Sequence, residues 1–316
     1  MKLATVVTLS YYSPDLYAAI DSVLDQDYER VQYVLIDDGT AGFSPETVTA
    51  YIEAHRRCNL ESFVVYQTPA NLGTVRALNI GLGYANGEYV FNLAGDDAFA
   101  DSQVIKDWVA AFDNTGSPVI TAYREFRDQW LMNPIELHPR QDEVKQIKEL
   151  SPKELFEVMT AGNFIFGCCT AYTRNCIEKY HLYDEHYKFV EDFPAVLSLL
   201  RQGVKIDFFD RIVVLHRSGG SSSATSYNTA YQHDMDLIYA REIQPYTNHP
   251  RRARRQHIYW KRRQKFLQKL EKVRGNPFRV IYLRVLFNGL HPIFTLRSLL
   301  ARFSRGRQCS GKSGNC

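Results

Sequence analysis

Short runs of β-branched and apolar residues alternate with segments of helical periodicity through the first hundred residues. The predicted strands are residues 6–9, 33–36, 63–66 and 89–93, and the predicted helices between them are residues 14–25, 45–56 and 74–85. Strands that alternate with helices are typical of a parallel sheet covered by helices. The pattern therefore predicts an α/β fold with a mixed, mainly parallel sheet flanked by helices.

Two serine-proline pairs mark where the first two helices are expected to begin. Ser13 precedes Pro14 and Ser44 precedes Pro45, and an acidic residue follows each proline. Serine is a common N-cap, and proline is favoured at the first helical position. We therefore expect both helices to begin at the proline.

The pattern becomes less regular after residue 100. Asp101 or Ser102 is predicted to cap a helix that runs to residue 112, and a strand is predicted at 119–123. Residues 124–150 are polar and irregular, which favours a long loop or lid. The remaining predicted elements are a helix behind a capping box at Ser151, a strand at 164–172, a helix at 194–201, strands at 204–209 and 212–215, and a mobile loop at 218–223.

The formal charge of +3 conceals two regions of opposite sign. Residues 1–240 carry 19 Lys+Arg against 33 Asp+Glu, a net charge of −14, whereas residues 241–316 carry 19 against 2, a net charge of +17. A segment with so much positive charge attracts anionic surfaces. We therefore expect a main body at 1–240 and a basic helical extension at 241–316 with a different role.

The basic extension combines a cationic cluster with an amphipathic stretch. Lys and Arg crowd residues 251–265 between His257, Tyr259 and Trp260, and residues 278–303 mix apolar side chains with arginines. This pattern is typical of helices that lie at an anionic membrane interface, and we place that contact at 245–303. Nucleic-acid binding and a folded helical subdomain with a solvated basic face are the alternatives, although no recognised nucleic-acid module accompanies the cluster. The last dozen residues are expected to be disordered.

Three features bear on the compartment of the protein. The sequence has no run of eighteen apolar residues, and the apolar run after Met1 and Lys2 is too short for a signal-peptide core. The six cysteines show no paired C-x-x-C spacing and no dense disulfide framework. We expect reduced cysteines and a cytoplasmic protein.

Two pairs of adjacent aspartates follow predicted strands. Asp37 and Asp38 end the second strand, and Asp96 and Asp97 follow the strand at 89–93. The carboxyl ends of parallel strands form the ligand-binding edge of an open sheet, and adjacent carboxylates are tolerated best beside a cation. Mg²⁺ and Mn²⁺ prefer oxygen ligands and often share them with substrate phosphates. The pairs favour a metal-assisted site for a phosphorylated molecule, although aspartate is also an ordinary turn residue.

Two common phosphate-binding motifs are missing from the sequence. It contains no Gly-x-x-x-x-Gly-Lys loop and no Gly-x-Gly-x-x-Gly after a strand, which argues against a P-loop and a dinucleotide fingerprint. Gly81 and Gly83 lie in a helical context and are expected at a helix end.

Five blocks of the chain, in order, resemble the family-2 glycosyltransferases of the GT-A fold. The resemblance extends over about residues 3–220. The blocks are Val-Val-Thr-Leu-Ser-Tyr at 6–11 with the helix end at 22–26, Val-Leu-Ile-Asp-Asp-Gly-Thr at 34–40, Asn-Leu-Gly-Thr-Val-Arg-Ala-Leu-Asn-Ile-Gly at 71–81, Asn-Gly-Glu-Tyr-Val-Phe-Asn-Leu-Ala-Gly-Asp-Asp at 86–97, and Val-Glu-Asp-Phe at 190–193. The resemblance implies a GT-A fold with a nucleotide-binding half at 1–100 and an acceptor-binding half at 101–240.

The resemblance also implies the donor site. Asp96 and Asp97 would serve the metal, Mn²⁺ or Mg²⁺, and the diphosphate, although Ala94 stands where many members have the first carboxylate of Leu-Asp-x-Asp-Asp. Asp38 would contact the base, uracil in most members, while Asp37 supports the loop. The remaining donor-binding residues implied are Leu9, Ser10, Tyr11 and Arg76, and Arg76 could equally be a solvated helix residue.

The fifth block implies the catalytic base. Asp192, with Glu191 beside it, would accept the proton of an attacking acceptor hydroxyl in a single inverting displacement. The alternative is that both carboxylates only complement a helix N-terminus. His216 and Arg217 lie where members often have a loop over the diphosphate, and a structural role is the alternative for both.

The resulting expectation is an inverting, metal-dependent hexosyl- or N-acetylhexosaminyltransferase of polysaccharide biosynthesis. Its expected partners are a nucleotide-diphosphate sugar, a saccharide or polyprenyl-diphosphate-linked acceptor and an anionic membrane on the cytoplasmic face, with no specific nucleic acid. A nucleotide-sugar-forming nucleotidyltransferase is one alternative, although its usual glycine-rich basic loop after the first strand is replaced by Ser10–Ser13. A non-catalytic basic membrane- or nucleic-acid-binding protein is the other.

Overall fold

The computed structural model describes residues 1–218, 229–273, 275 and 277–291, which fall into two compact units. The described part of the first unit comprises residues 1–218 and 229–253, and that of the second unit begins at Arg254. The first unit continues past residue 240, where the extension was expected to begin, because Ile243 and Ala253 are buried in its core.

Nine strands of the described residues form one sheet in the first unit. They are β1 (Ala4–Ser10), β2 (Val31–Asp37), β3 (Leu60–Gln67), β4 (Tyr89–Ala94), β5 (Ala98–Phe99), β6 (Val119–Arg127), β7 (Pro134–His138), β8 (Thr170–Thr173) and β9 (Asp207–Arg217). Their order is β3-β2-β1-β4-β8-β6-β9-β5, and β7 pairs with β6.

The helices of the first unit lie on both faces of this sheet. They are α1 (Leu16–Leu24), α2 (Pro45–His55), α3 (Thr74–Tyr84), α4 (Val104–Thr115), α5 (Gln141–Glu149), α6 (Pro152–Met159), α7 (Arg174–Tyr180), α8 (Asp192–Arg201) and α9 (Thr229–Ile238), which continues into a π-helical turn at Tyr239–Ile243. The helix α10 (Pro250–Lys272) begins in the first unit and continues in the second, which also contains α11 (Pro277–Leu290).

The long strand pairs are parallel and the short pairs are antiparallel. The strands β1, β2, β3 and β4 are parallel to one another, and β6 is parallel to β9, whereas β8 lies antiparallel between β4 and β6. Successive residues of β1 point to opposite faces, so that Val6 joins one hydrophobic core and Val7 the other. The predicted mixed, mainly parallel sheet flanked by helices is confirmed.

Two of the four predicted N-caps are displaced, whereas Ser151 precedes α6 with the predicted capping box. The side chain of Ser44 accepts a hydrogen bond from the Thr47 amide, as predicted for α2. In contrast α1 begins at Leu16 with Asp15 at the N-cap, and the Asp15 carboxylate pairs with Arg217 instead of capping the helix. Neither Asp101 nor Ser102 is the N-cap of α4, which is Gln103.

The predictions for residues 124–215 were partly wrong. The segment 124–150 is not a long loop, because β6 extends to Arg127, pairs with β7 and is followed by α5. The strand predicted at 164–172 is a 3-10 turn at Gly167–Cys169 followed by β8. The two strands predicted at 204–215 are the single strand β9, which carries a register shift where it pairs with β6.

Gly81 lies inside α3, where a Cβ atom would lie 2.7 Å from Val7 Cγ1. Glycine therefore permits close packing of α3 on the sheet. Gly83, next to the last residue of α3, has open space around it, which agrees with the predicted helix end.

The described part of the second unit is a pair of helices in contact through aromatic rings. Phe266 of α10 stacks on Phe287 of α11 with ring centroids 4.3 Å apart. Among the described helices, none combines the length and the apolar character that a membrane crossing requires. The predicted mobile loop from residue 219 onwards, the amphipathic stretch from residue 292 onwards and the predicted disordered tail lie outside the described residues.

Candidate active site

The strand order changes direction at β1, which lies between β2 and β4. The pairing register places Ser10 beside Asp37 and Leu9 beside Ala94, so that three strands end at one edge of the sheet. Such a switch point forms a crevice outside the carboxyl ends of the strands. The structure therefore brings the two aspartate pairs and the predicted donor residues of β1 to the same edge.

The turn after β2 is fixed by its own carboxylates. Asp37 accepts hydrogen bonds from the Thr40 amide at 2.7 Å and from Gln67 at 3.1 Å. Asp38 is buried and accepts hydrogen bonds from the Leu72 and Gly73 amides, at 2.8 and 2.9 Å. Through Asp38, this turn is joined to the beginning of α3.

The other predicted donor residues differ in accessibility. Ser10 is buried and Leu9 is half-buried, whereas Tyr11 is 48% exposed, with its ring edge-to-face against Tyr12 at 4.8 Å. Arg76 is exposed on α3 and pairs with Glu185 at 3.4 Å. Of this set, Tyr11 and Arg76 offer the most side-chain surface at the edge of the sheet.

Asp97 is the most enclosed carboxylate of the second pair. Its Oδ2 atom lies 2.8 Å from Nδ1 of His216, and its Oδ1 atom accepts a hydrogen bond from the Arg217 amide at 3.1 Å. Burial opposes the charged form of His216, but the hydrogen bond and charge of Asp97 outweigh it and raise the pKa of the imidazole. Asp96 is half-buried, and burial together with the charge of Asp97 raises its pKa.

Arg217 connects the end of β9 to the loop after β4. Its Nε atom donates to the Asp96 carbonyl at 3.0 Å, and Nη1 lies 3.1 Å from the Asp15 carboxylate and also bonds the Gln129 carbonyl. The short pairing of β5 with β9 brings these segments together. Arg217 is therefore occupied in holding the backbone around Asp96.

The donor atoms around Asp97 are close enough to share a cation. Single ligand atoms of Asp97, Cys168 and His216 all lie within 4.8 Å of one another. A carboxylate and an imidazole are ordinary ligands of divalent metals, and Asp96 is the adjacent residue. The residues present thus fit a divalent ion at this place, with Asp97 as the carboxylate that belongs both to this cluster and to the predicted metal pair.

The predicted catalytic pair lies at the beginning of α8. Asp192 is the first residue of α8, and its Oδ2 atom accepts a hydrogen bond from the Gly167 amide at 3.1 Å. Both carboxylates are half-buried, and burial raises the pKa of Asp192. Burial and the nearby charge of Asp192 raise the pKa of Glu191 well above its usual range. A carboxylate with a raised pKa is suited to accepting a proton.

Three residues of this site were not found from the sequence. The Arg124 guanidinium lies 3.5 Å from the centre of the Phe166 ring and 3.7 Å from the Cys168 sulfur. A Cβ atom at Gly167 would lie 2.9 Å from Oε1 of Glu191 and 3.3 Å from Cβ of Asp192, so a side chain at this position would require that pair to shift. The sequence around Cys168 matches no metal-binding spacing, so it gave no sign of a ligand there. An arginine between the aromatic residues Tyr123 and Phe126 of a strand was the only signal for Arg124.

The chain matches the model of the family described as glycosyl transferase family 2 over residues 5–180, which is more than half of its length. The chain belongs to this family. The predicted family is confirmed. The matched segment includes β1, β2 and β4 and the two aspartate pairs at their common edge.

Relatives of this glycosyltransferase occur in several bacteria. An uncharacterized glycosyltransferase of Haemophilus influenzae is 33% identical over 108 residues, which are 34% of this chain and 41% of that protein. The uncharacterized glycosyltransferase EpsJ of Bacillus subtilis is 24% identical over 255 residues, which are 78% of this chain and 70% of EpsJ. The chain therefore spans less than half of the first relative and about two thirds of the second.

Solved structures agree with the fold of this glycosyltransferase. TarS 1–349 of S. aureus in complex with UDP-GlcNAc has a TM-score of 0.59 at 18% identity. The match covers 81% of this chain and 70% of the TarS chain. The mannosyltransferase PcManGT of Pyrobaculum calidifontis, in complex with GDP-Man and Mn²⁺, has a TM-score of 0.60 at 16% identity, over 96% and 80% of the two chains. Both similarities concern the fold, and the predicted GT-A fold is confirmed.

Proposed function

We propose that this glycosyltransferase transfers a hexosyl or N-acetylhexosaminyl group from a UDP-sugar to a hydroxyl of a saccharide acceptor, with inversion at the anomeric carbon. The observation that carries the proposal is the position of two adjacent residues, Gly167 and Cys168. The amide of Gly167 contacts Asp192, and the sulfur of Cys168 lies in the cluster with Asp97 and His216. The predicted base and the predicted diphosphate site are therefore neighbours.

In the proposed reaction Asp192 accepts the proton of the acceptor hydroxyl while the hydroxyl oxygen bonds to the anomeric carbon. The bond from that carbon to the diphosphate breaks on the opposite side, and its electron pair leaves with the nucleoside diphosphate. A divalent cation bound by Asp96 and Asp97 would stabilise the negative charge of the departing diphosphate. The raised pKa of Asp192 favours its role, because a stronger base takes the proton more readily.

The donor half of the proposal rests on the residues at the β1–β2 edge. Tyr11 offers an exposed ring for the base, and Asp38 and Asp37 fix the turn beneath it. Asp38 is the proposed base contact, although both its oxygens already accept amide hydrogen bonds. Uracil is the proposed base, and guanine is the competing choice because the mannosyltransferase neighbour holds GDP-Man.

The second unit supports a lipid-linked acceptor. The helix α11 leaves most of its large apolar side chains exposed, and α10 is rich in Lys and Arg. The exposed residues of α11 are Phe278, Ile281, Tyr282, Val285, Leu286 and Leu290. Apolar side chains beside many cations match an anionic lipid surface. We propose that this surface holds the enzyme on the cytoplasmic face of a membrane, where polyprenyl-diphosphate-linked saccharides of polysaccharide biosynthesis are its acceptors.

Calorimetric titration with UDP, GDP and dTDP, each with and without Mn²⁺, tests the donor assignment. We expect UDP to bind only when Mn²⁺ is present. The variant Asp96→Asn/Asp97→Asn should lose this Mn²⁺-dependent binding of UDP. Release of UDP from UDP-glucose and UDP-GlcNAc then tests turnover, with GDP-mannose as the competing donor. Equal binding of all three nucleotides without metal would reject the proposal.

A further inference from the structure

Asp234 of α9 accepts three hydrogen bonds on one oxygen. The amides of Lys188, Phe189 and Val190 donate to Oδ2 at 2.9, 2.6 and 3.1 Å, and Asp234 is 1% exposed. Consecutive amides that converge on one point form an anion-binding concavity, here filled by a carboxylate of the same chain. The backbone of 188–190 is therefore fixed by one buried side chain.

The position of this segment gives Asp234 its significance. Residues 188–190 lead directly into Glu191 and Asp192, the predicted catalytic pair at the beginning of α8. Hydrogen bonds to an ionised acceptor are about twice as strong as neutral ones, so this contact restrains the backbone more than an ordinary turn does. The orientation of the Asp192 side chain therefore depends on how firmly the backbone of residues 188–190 is held.

The same segment is held on its other side by the nucleotide-binding half. The Val75 amide donates to the Lys188 carbonyl at 3.2 Å, and a Cβ atom at Gly73 would lie 2.6 Å from that carbonyl. Gly73 in turn donates to Asp38. The contacts thus run from the proposed base-binding carboxylate, through the beginning of α3, to the segment that carries Asp192.

A purely structural role would not require a charge at this place. Burying a carboxylate is costly unless hydrogen bonds compensate it, and an apolar residue on α9 would pack without that cost. The charged carboxylate of Asp234 instead accepts hydrogen bonds from three amides shortly before Asp192 in the chain. We propose that Asp234 is a positioning residue for Asp192, which sets the geometry of proton acceptance from the acceptor; this rests on the proposed function of Asp192.

Steady-state UDP release from the UDP-sugar that the wild-type chain turns over, in the presence of Mn²⁺, tests the proposal. We expect Asp234→Ala to lower kcat about 100-fold, because a displacement of about 1 Å can have that effect, with the donor KM changed less than about threefold. Asp234→Asn keeps an acceptor oxygen but loses the charge, so its kcat should lie between those of the wild type and Asp234→Ala. Asp192→Asn/Asp234→Ala should be no slower than Asp192→Asn, since Asp234 acts through Asp192.

Glu157→Ala is the matched control. Glu157 accepts hydrogen bonds from Thr247 and from the Asn248 amide, so it also fixes a backbone segment, but not one next to the catalytic pair. The Glu157→Ala variant should lower Tm as Asp234→Ala does, but its kcat should stay within about threefold of the wild-type value. Hydrogen exchange should quicken at amides 188–190 only in the Asp234 variants.

The outcomes separate the two proposals. If Asp192→Asn retains wild-type kcat, or if no UDP-sugar or GDP-mannose is turned over, the proposed function fails and the positioning role fails with it. If Asp192→Asn is inactive but Asp234→Ala keeps wild-type kcat, or loses no more than Glu157→Ala, only the positioning role is overturned. An additive loss in the double variant would also overturn it.

Discussion

The Nδ1 atom of His216 lies 2.8 Å from the Oδ2 atom of Asp97, although 119 positions separate the two residues in the chain. Both side chains are buried, and the contact joins the end of β9 to the loop after β4. A histidine that bonds a carboxylate so closely fixes both groups before any ligand arrives, which lowers the cost of binding.

Asp97→Asn should weaken Mn²⁺-dependent UDP binding by about 10- to 100-fold. The substitution removes the negative charge that contacts His216 and keeps the shape of the side chain. Titration calorimetry with and without EDTA measures the change. Asp101→Asn, which loses an exposed ion pair with Arg211, is the control and should bind as the wild type does. Unchanged metal dependence in Asp97→Asn would contradict the assignment.

Asp192→Asn should lower kcat about 10²- to 10⁴-fold and raise Tm at pH 7. Burial raises the pKa of Asp192 in the folded state, so protonation favours folding. The stability from that group is complete below the unfolded pKa of about 3.9 and is lost as pH rises through the folded pKa. The ionised carboxylate is therefore unfavourable at pH 7, and the gain in Tm should disappear as pH falls below about 4.

The pH dependence of the difference in Tm between the wild type and Asp192→Asn is the more specific measurement. Thermal melts of the wild type and Asp192→Asn between pH 3.5 and 8 should converge at the acid end. A Tm difference that is constant with pH, or a less stable variant at pH 7, would mean that the raised pKa of Asp192 is not expressed in the protein.

Gly167→Ala should reduce kcat at least about 10-fold with little effect on UDP binding. The added methyl group would lie 2.9 Å from Oε1 of Glu191 and 3.3 Å from Cβ of Asp192, so the predicted catalytic pair would have to shift. Gly83→Ala is the matched control, since nothing lies within 4 Å of its Cβ position, and it should stabilise α3 by about 0.5–1 kcal/mol. Equal kinetics of the two variants would show that the close approach at Gly167 is unimportant.

Ile281→Ser/Val285→Ser should weaken binding to vesicles of anionic phospholipid at least about 10-fold. Both side chains are more than half exposed on α11, and each buried aliphatic side chain contributes about 1.5–3 kcal/mol. Vesicle flotation measures binding, and 0.5 M salt should weaken it further. The exposed Ile135 of β7 provides the control Ile135→Ser. Vesicle binding that is equal in both variants would exclude α11 as the lipid-binding surface.

The first four strands could be predicted because each is a short apolar run between helical segments. Tyr33 and Leu35 point to one core and Val34 and Ile36 to the other, so the whole run is apolar. The strand β7 was missed because none of its residues is buried and its apolar residues alternate with polar ones. A short strand with alternating polar and apolar residues resembles a loop in sequence. The flanking residues contain no turn motif that would have indicated a hairpin.

The candidate site could be predicted in part for the same reason. Asp37, Asp38, Asp96 and Asp97 follow strands that the sequence reveals, so their common edge could be expected. The contacts of Cys168, Arg124 and Asp234 depend on packing between segments far apart in the chain. Local periodicity carries no information on such contacts, so these residues became visible only in the folded structure.

The antiparallel strand β8 between β4 and β6 has a consequence for the order of assembly. β1 to β4 pair among residues 4–94, whereas β4 gains its other neighbour from residues 170–173 and Asp97 its partner from β9. Pairings between distant segments form late, because a long loop must first close. During synthesis the edge formed by β1, β2 and β4 can form early, whereas the contact between Asp97 and His216 forms only once β9 has emerged and joined the sheet.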